Sequence, residues 1–260
     1  MAYEFIKVDR EGPVTIFTLS RPEVMNALHS PAHFELDEAF NAFAADPDQW
    51  VGIVTGAGDR AFSAGNDLKH QAGGGKMGSP PSGFAGLTSR FDLDKPLIAA
   101  VNGVAMGGGF EIALACDLIV ASEAATFALP EPRVGLAALA GGLHRLPRMI
   151  GQKQALGMIL TGRRVSAAEG QTLGFVNEVT KPDELMATAR RWAAQICELS
   201  PMSIRASKEA VYKGLDEPTL EAAIKGQNRY PAVAALFKSE DFVEGPMAFA
   251  QKRAPNWKGR

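Results

Sequence analysis

Two glutamates and a run of glycines carry the chemistry that this sequence offers. Leu97–Glu111 runs LIAAVNGVAMGGGFE. Leu97, Ile98 and Val101 form a short apolar strand, and Asn102-Gly103 is a strong turn dipeptide. Gly107, Gly108 and Gly109 then lead into a helix predicted from Phe110 to Cys116. Glycines let a ligand approach the backbone, and a helix N-terminus presents free N–H groups at its positive end. Glu111 falls one turn in, where the helix dipole favours a carboxylate. The stretch therefore sets oxyanion-type donors beside a carboxylate. Tight packing of helix on strand would also account for the glycines. Glu131 lies between Pro130 and Pro132, after a strand end. The prolines fix φ on either side and stiffen the chain. A carboxylate held this way suits acid–base work, although a surface-loop glutamate would look the same.

Other constellations fall away. The histidines (His29, His33, His70, His144) are scattered, and Ser30-Pro31 puts a helix start between the first two, so these should not share a face. Cys116 and Cys197 sit in apolar helical patterns, as small buried hydrophobes with no disulfide or metal site. Gly56-Ala57-Gly58-Asp59-Arg60-Ala61 fits GxGxxA, but Phe62–Asp67 is turn-like where a dinucleotide site needs a helix. A net charge of −2 gives no reason to expect nucleic acid or an anionic membrane as partner. MAYEFIKVDR is too charged for a signal peptide, and no apolar run has membrane-spanning length. The expected compartment is a reducing cytoplasm. At 260 residues and 46% hydrophobic content, the chain can bury a sizeable core as one large domain, alone or with an appendage.

The elements that must position the glutamates alternate at short range. Phe5–Asp9 and Val14–Leu19 predict a hairpin split by Glu11-Gly12-Pro13. A helix capped by Ser30, with Pro31 first, buries Phe34, Leu36, Ala39, Phe40 and Phe43 and stops at Asp46-Pro47. Val51–Thr55 is a strand. Gln71–Gly86, rich in Gly, Pro and Ser, predicts a mobile loop, either a lid or a surface insertion. Strands follow at Asp117–Ser122, Thr126–Leu129 and Phe175–Thr180, with helices at Gly141–Ile150, Gln152–Leu160 and Ala167–Leu173. The class is α/β, without a clean internal sequence repeat. From Asp183 onward only helical patterns remain, over Asp183–Leu199, Pro201–Gly214, Thr219–Arg229 and Glu244–Lys252. The division is thus a core over residues 1–182 and a helical region over 183–260. Such an appendage docks on its own core or on a neighbouring subunit.

Three segments carry a resemblance. Ala61–Lys69 (AFSAGNDLK), AVNGVAMGGGFEIALACDLIVAS and FALPEPRVGL resemble the signatures of the crotonase (enoyl-CoA hydratase/isomerase) superfamily. Within it, SGFAGLTSRFDLDKPLIAAVNG and SEDFVEGPMAFAQKRAPNWKGR resemble the carnitinyl-CoA dehydratase subgroup. The resemblance implies a spiral of ββα turns, with a C-terminal helical region that builds homotrimers, often paired into hexamers. It implies an acyl-CoA thioester as substrate, CoA being part of that substrate and no cofactor being permanently bound. On matching positions, the backbone N–H groups of Asn66 and Gly108 form an oxyanion hole. Ala64, Asn66 and Leu68 line the adenine site within the CoA-binding run that also holds Asp67. Lys69 lies near the CoA phosphates, and Lys252 reaches the CoA of a neighbouring subunit. Glu111 and Glu131 match the two hydratase carboxylates.

Reversible hydration of the 2,3 double bond follows from that constellation. The hole stabilises the enolate, Glu131 exchanges the C2 proton, and Glu111 activates the water that adds at C3. Ala137-Ala138-Leu139 departs from the segment hydratases often carry before the next glycine pair, which bears on acyl size. Three alternatives stay open: crotonobetainyl-CoA as the specific substrate, enoyl-CoA isomerisation, and non-catalytic RNA binding. Retention of both glutamates speaks against isomerisation, and the lack of a basic stripe speaks against RNA. For a trimethylammonium substrate, Phe84 and Phe91 are the candidate aromatic faces.

Overall fold

A computed structural model of the chain describes residues 3–260. The hairpin forms where alternation places it. β1 (Ile6–Glu11) and β2 (Val14–Leu19) pair antiparallel around Gly12, whose φ of +58° suits the turn. α1 (Ser30–Ala45) follows, and β2 then lies parallel to β3 (Val51–Gly56). From here the chain coils, and three successive turns repeat one plan. A long strand enters a large sheet, a three-residue strand enters a small one, and a helix or helical turn follows. The first turn is β3, β4 (Ala61–Ser63) and α2 (Leu68–Ala72). The second is β5 (Leu97–Val101), β6 (Val104–Met106) and α3 (Gly108–Ala115). The third is β7 (Leu118–Ser122), β8 (Thr126–Ala128), the helical turn Glu131–Val134 and α4 (Gly142–Ile150). α5 (Gln152–Thr161), β9 (Val165–Ser166), α6 (Ala167–Leu173) and β10 (Glu178–Thr180) close the coil. The large sheet runs β1-β2-β3-β5-β7-β10 and the small one β4-β6-β8-β9. The expected ββα spiral is therefore present.

Side chains alternate across the large sheet, and each face has its own cover. Phe17, Val54, Ala99 and Val101 face one way, toward α1 and the coil interior, where Phe110, Phe127 and Phe175 meet with ring centroids 5.2 Å apart. Ile16, Ile53, Ile98 and Val120 face the other way, against Leu185, Ala189 and Ala193 of α7 (Leu185–Cys197). Trp192 packs with that second cluster and donates Nε1–H to Glu178 at 2.7 Å.

The remaining helices are α8 (Pro201–Asp216), α9 (Leu220–Gly226), α10 (Pro231–Leu236) and α11 (Glu240–Ala250). Lys208 of α8 ties them to the coil, giving Nζ–H to Asp117 Oδ2 and to Lys95 O, both at 2.8 Å. Tyr212 O–H donates to Asp117 Oδ1 at 3.0 Å.

Several local expectations shift. The turn-like reading of Phe62–Asp67 hides the end of β4, and β6 lies where the sequence shows only a glycine-rich entry. Three-residue strands are too short to show alternation. Only the last three residues of Phe175–Thr180 pair as a strand, and α10 and the first turn of α11 appear where the sequence predicts no helix. His29, not Ser30, is the residue flanking α1. Phe34 is 51% exposed, and His33 takes the inward position instead. Gln71–Gly86 is not one loose loop. Its first two residues end α2, Pro80 is buried, and Ser82 Oγ–H donates to Asp37 Oδ1. Arg90, whose side chain is 4% exposed, gives Nη2–H to the same oxygen at 2.6 Å.

Candidate active site

The glycines of the central stretch are demanded by close packing. Asn102 bolts the corner between turns of the coil: its Nδ2–H groups donate to Gly56 O at 3.0 Å, Gly58 O at 2.8 Å and Ala61 O at 3.1 Å. Gly107 has φ +54° and gives its N–H to Ala128 O at 2.9 Å. A Cβ on Gly107 would lie 2.7 Å from Glu131 Oε1, so this backbone is pressed against that carboxylate. A Cβ on Gly109 would collide with Ser63 O. Gly65, with φ +87°, leaves room for a Cβ only 2.6 Å from Met106 O and 2.8 Å from Gly108 N. The first and second turns of the coil therefore touch backbone to backbone at Gly65 and Gly108.

Two N–H groups stay free there. Leu28 bridges Asn66 as a parallel strand would, giving its N–H to Gly65 O and accepting from Asp67 N–H, each at 2.8 Å. That pairing turns Asn66 N–H toward the opposite edge. Gly108 is the first residue of α3, so its N–H has no partner within the helix. Among the described residues neither group donates to a protein acceptor. The ring of Phe84 lies over Gly108, where a Cβ would be 2.6 Å from Cε1 and Cζ.

Glu111 is 3% exposed, on the first turn of α3. Its Oε1 accepts the N–H of Gly142, the first residue of α4, at 2.8 Å. Burial lifts its pKa to about 7, the nearby Glu131 carboxylate pushing the same way against the N–H groups of Gly142 and Ala140 and the Arg145 guanidinium. The helix terminus thus does not keep this carboxyl acidic, contrary to the simple dipole expectation. Glu131 stands at the start of the turn Glu131–Val134, half-buried, with Oε2 shielded from solvent and, among the described residues, without a hydrogen-bond partner. Burial raises its pKa as well. The structure therefore brings the two glutamates close enough for the Glu131 charge to act on Glu111, which spacing in the chain does not establish.

The remaining positions are arranged along the first turn. Ala64 and Asn66 are half-buried, Leu68 is 43% exposed, and Lys69 is exposed. Asp67 is engaged within the chain: it caps α2 by accepting His70 N–H at 3.0 Å and pairs with Arg21 at 3.0 Å. Lys252 is exposed just beyond α11, with φ +53°. The sequence does not single out Gly142 as a contact of Glu111. The adjacent Gly141-Gly142 pair is the available sign, since a Cβ at Gly142 would come within 3.1 Å of the Glu111 side chain.

The sequence profile described as enoyl-CoA hydratase/isomerase matches residues 9–260. A carnitinyl-CoA dehydratase of Salmonella typhi is 46% identical over 264 residues, covering 99% of either chain. The crystal structure of an enoyl-CoA hydratase from Mycobacterium tuberculosis superposes with a TM-score of 0.92 at 34% identity, over 98% of this chain and 99% of the other. One from Bacillus anthracis gives 0.90 at 34% identity, over 99% and 100%. With the coil, the free N–H groups and the paired glutamates in place, the chain belongs to the enoyl-CoA hydratase/isomerase family.

Proposed function

We propose that this protein is a hydratase/dehydratase of 2-enoyl-CoA thioesters. One observation carries the proposal: the half-buried Glu131 carboxylate lies against Gly107, its charge felt by the buried Glu111, beside a Gly108 N–H that among the described residues has no protein acceptor. In the forward direction the thioester oxygen takes the N–H groups of Asn66 and Gly108. That polarisation makes C3 electrophilic. Glu111, poised near neutrality and anchored by Gly142, takes a proton from water as its oxygen bonds to C3. The π electrons move toward the thioester, and the enolate is held by the two N–H groups, each worth about 3–4 kcal/mol in a transition state. Glu131, whose neutral form burial favours, delivers its proton to C2. The proton left on Glu111 then restores Glu131, and dehydration runs the same path backward.

CoA enters as part of the substrate, with no permanently bound cofactor. Ala64, Asn66 and Leu68 form the adenine shelf, Lys69 faces the phosphates, and Lys252 serves a neighbouring subunit's CoA. Asp67 acts by holding this run in place. Residues 1–182 build the site and 183–260 the assembly region, in a homotrimer or paired trimers in the cytoplasm. The C-terminal helices leave Leu220 77% and Phe249 87% exposed, apolar area suited to a second copy of the chain. Leu220→Glu and Phe249→Glu should therefore reduce the mass measured by light scattering to that of one chain. An unchanged oligomer would remove this face from the assembly.

A narrower reading takes crotonobetainyl-CoA as the substrate, favoured by the 46% identity to carnitinyl-CoA dehydratase. Phe91 is a poor receptor for its cation, because the Arg145 guanidinium already lies 5.9 Å from that ring. Loss of enone absorbance with crotonyl-CoA tests hydration itself; no turnover of any 2-enoyl-CoA would end the proposal. The ratio of kcat/KM for crotonobetainyl-CoA over crotonyl-CoA decides the narrower reading. A preference of tenfold or more, about 1.4 kcal/mol of transition-state binding, establishes it, and parity rejects it.

A further inference from the structure

We infer that His33 is a positioning residue which, through the backbone of Ala85, holds the Phe84 ring over Gly108 and so sets the width of the acyl channel. The inference rests on the hydratase reading in one respect only, that an acyl group lies beside Gly108.

The starting point is a turn that the chain does not adopt readily. Gly83, Ala85 and Gly86 have φ of +87°, +56° and +61°. Glycine accepts such angles, whereas alanine rarely does. A segment held in this way needs restraint from outside, and such restraints concentrate at functional sites. α1 supplies it from one face. His33, 4% exposed, accepts the Ala85 N–H on Nδ1 at 3.1 Å. One helical turn on, Asp37 receives Ser82 and Arg90. Its backbone sits so close to Gly86 that a Cβ there would be 2.5 Å from Asp37 Cα.

Between these two anchors hangs Phe84. Its ring meets the His33 imidazole with centroids 4.4 Å apart, and its far edge covers Gly108. A thioester whose oxygen reaches Gly108 N–H would place its acyl carbons beside that ring. The Ala85 contact needs an unprotonated Nδ1, and burial supplies it by lowering the His33 pKa to about 4. An apolar side chain at position 33 would fill the same space but leave a buried N–H without an acceptor. His33 touches no reacting atom; it acts through Phe84.

The test compares wild type with four variants. His33→Asn keeps an acceptor near the place of Nδ1, and His33→Leu removes it. Phe84→Ala removes the ring, and the fourth variant combines His33→Leu with Phe84→Ala. His33→Met serves as a second acceptor-free variant should His33→Leu not fold. The readouts are kcat/KM for crotonyl-CoA and 2-octenoyl-CoA, and amide hydrogen exchange in a peptide spanning residues 82–88. Phe84→Ala should shift the ratio toward octenoyl-CoA by about tenfold, and the acceptor-free variants should shift it the same way by about threefold or more. His33→Asn should stay within about twofold of wild type. The combined variant should match Phe84→Ala, since residues acting through one another are not additive. Exchange at 82–88 should rise in the acceptor-free variants and not in His33→Asn. An unchanged substrate ratio in the acceptor-free variants, an additive double variant, or unchanged exchange would each overturn the inference. Should wild type turn over no thioester, the hydratase reading fails, while the exchange measurement still decides whether His33 holds the turn.

Discussion

Glu131→Gln and Glu111→Gln are each expected to lower kcat by roughly 10²–10⁴-fold, with smaller changes in KM. The amide has nearly the shape of the acid, so packing around Gly107 is retained. At position 111 the Gln carbonyl can still accept the Gly142 N–H, which preserves the joint between α3 and α4. What is lost is the exchangeable proton. Glu131→Gln should in addition suppress incorporation of solvent deuterium at C2, because that carboxyl is assigned the C2 proton. Glu111→Gln should lose the pH dependence associated with a group titrating near 7. Hydration at close to the wild-type rate in either variant would refute the two-carboxylate mechanism.

Gly65→Ala is expected to damage catalysis without touching either glutamate. A Cβ there would stand 2.6 Å from Met106 O and 2.8 Å from Gly108 N, both backbone atoms with little freedom to retreat. The positive φ adds strain of about 1–2 kcal/mol for an L residue. Relief requires the first and second turns of the coil to separate, which carries the Asn66 and Gly108 N–H groups apart. Misplacing one such donor costs about 10²–10³-fold in kcat. Crotonyl-CoA hydration by a variant whose circular dichroism matches wild type would show the loss, and full activity would mean that these N–H groups do not hold the oxyanion.

Much of this site was legible because its residues stand beside conformational markers. Glu111 follows three glycines and Glu131 is framed by two prolines, so both stand out in the chain. Their meeting was not legible, because it depends on stacking one coil turn on the next through strands of three residues. Those strands are held by neighbours rather than by their own pattern, as β4 and β6 illustrate. His33 was obscured differently. Hydrophobic periodicity nominates Phe34 for the buried face, yet the inward place goes to a histidine that satisfies a backbone N–H from a segment 52 residues away. Burial of a polar side chain is decided by its partner, and a partner distant in sequence leaves no local signal.

The anchoring of the segment around Phe84 bears on how such a protein can change over evolutionary time. Residues 76–79 are exposed, while the Asp67 cap lies upstream and the Ser82–Asp37 contact downstream. Chain can therefore be gained or lost between these fixed ends at little cost, since closure entropy grows only with the logarithm of loop length. Such an insertion would leave the Phe84 wall and the proton carriers in register. The stretch is a tolerant cassette set into an intolerant frame, where new substrate preferences can be tried without risking the chemistry.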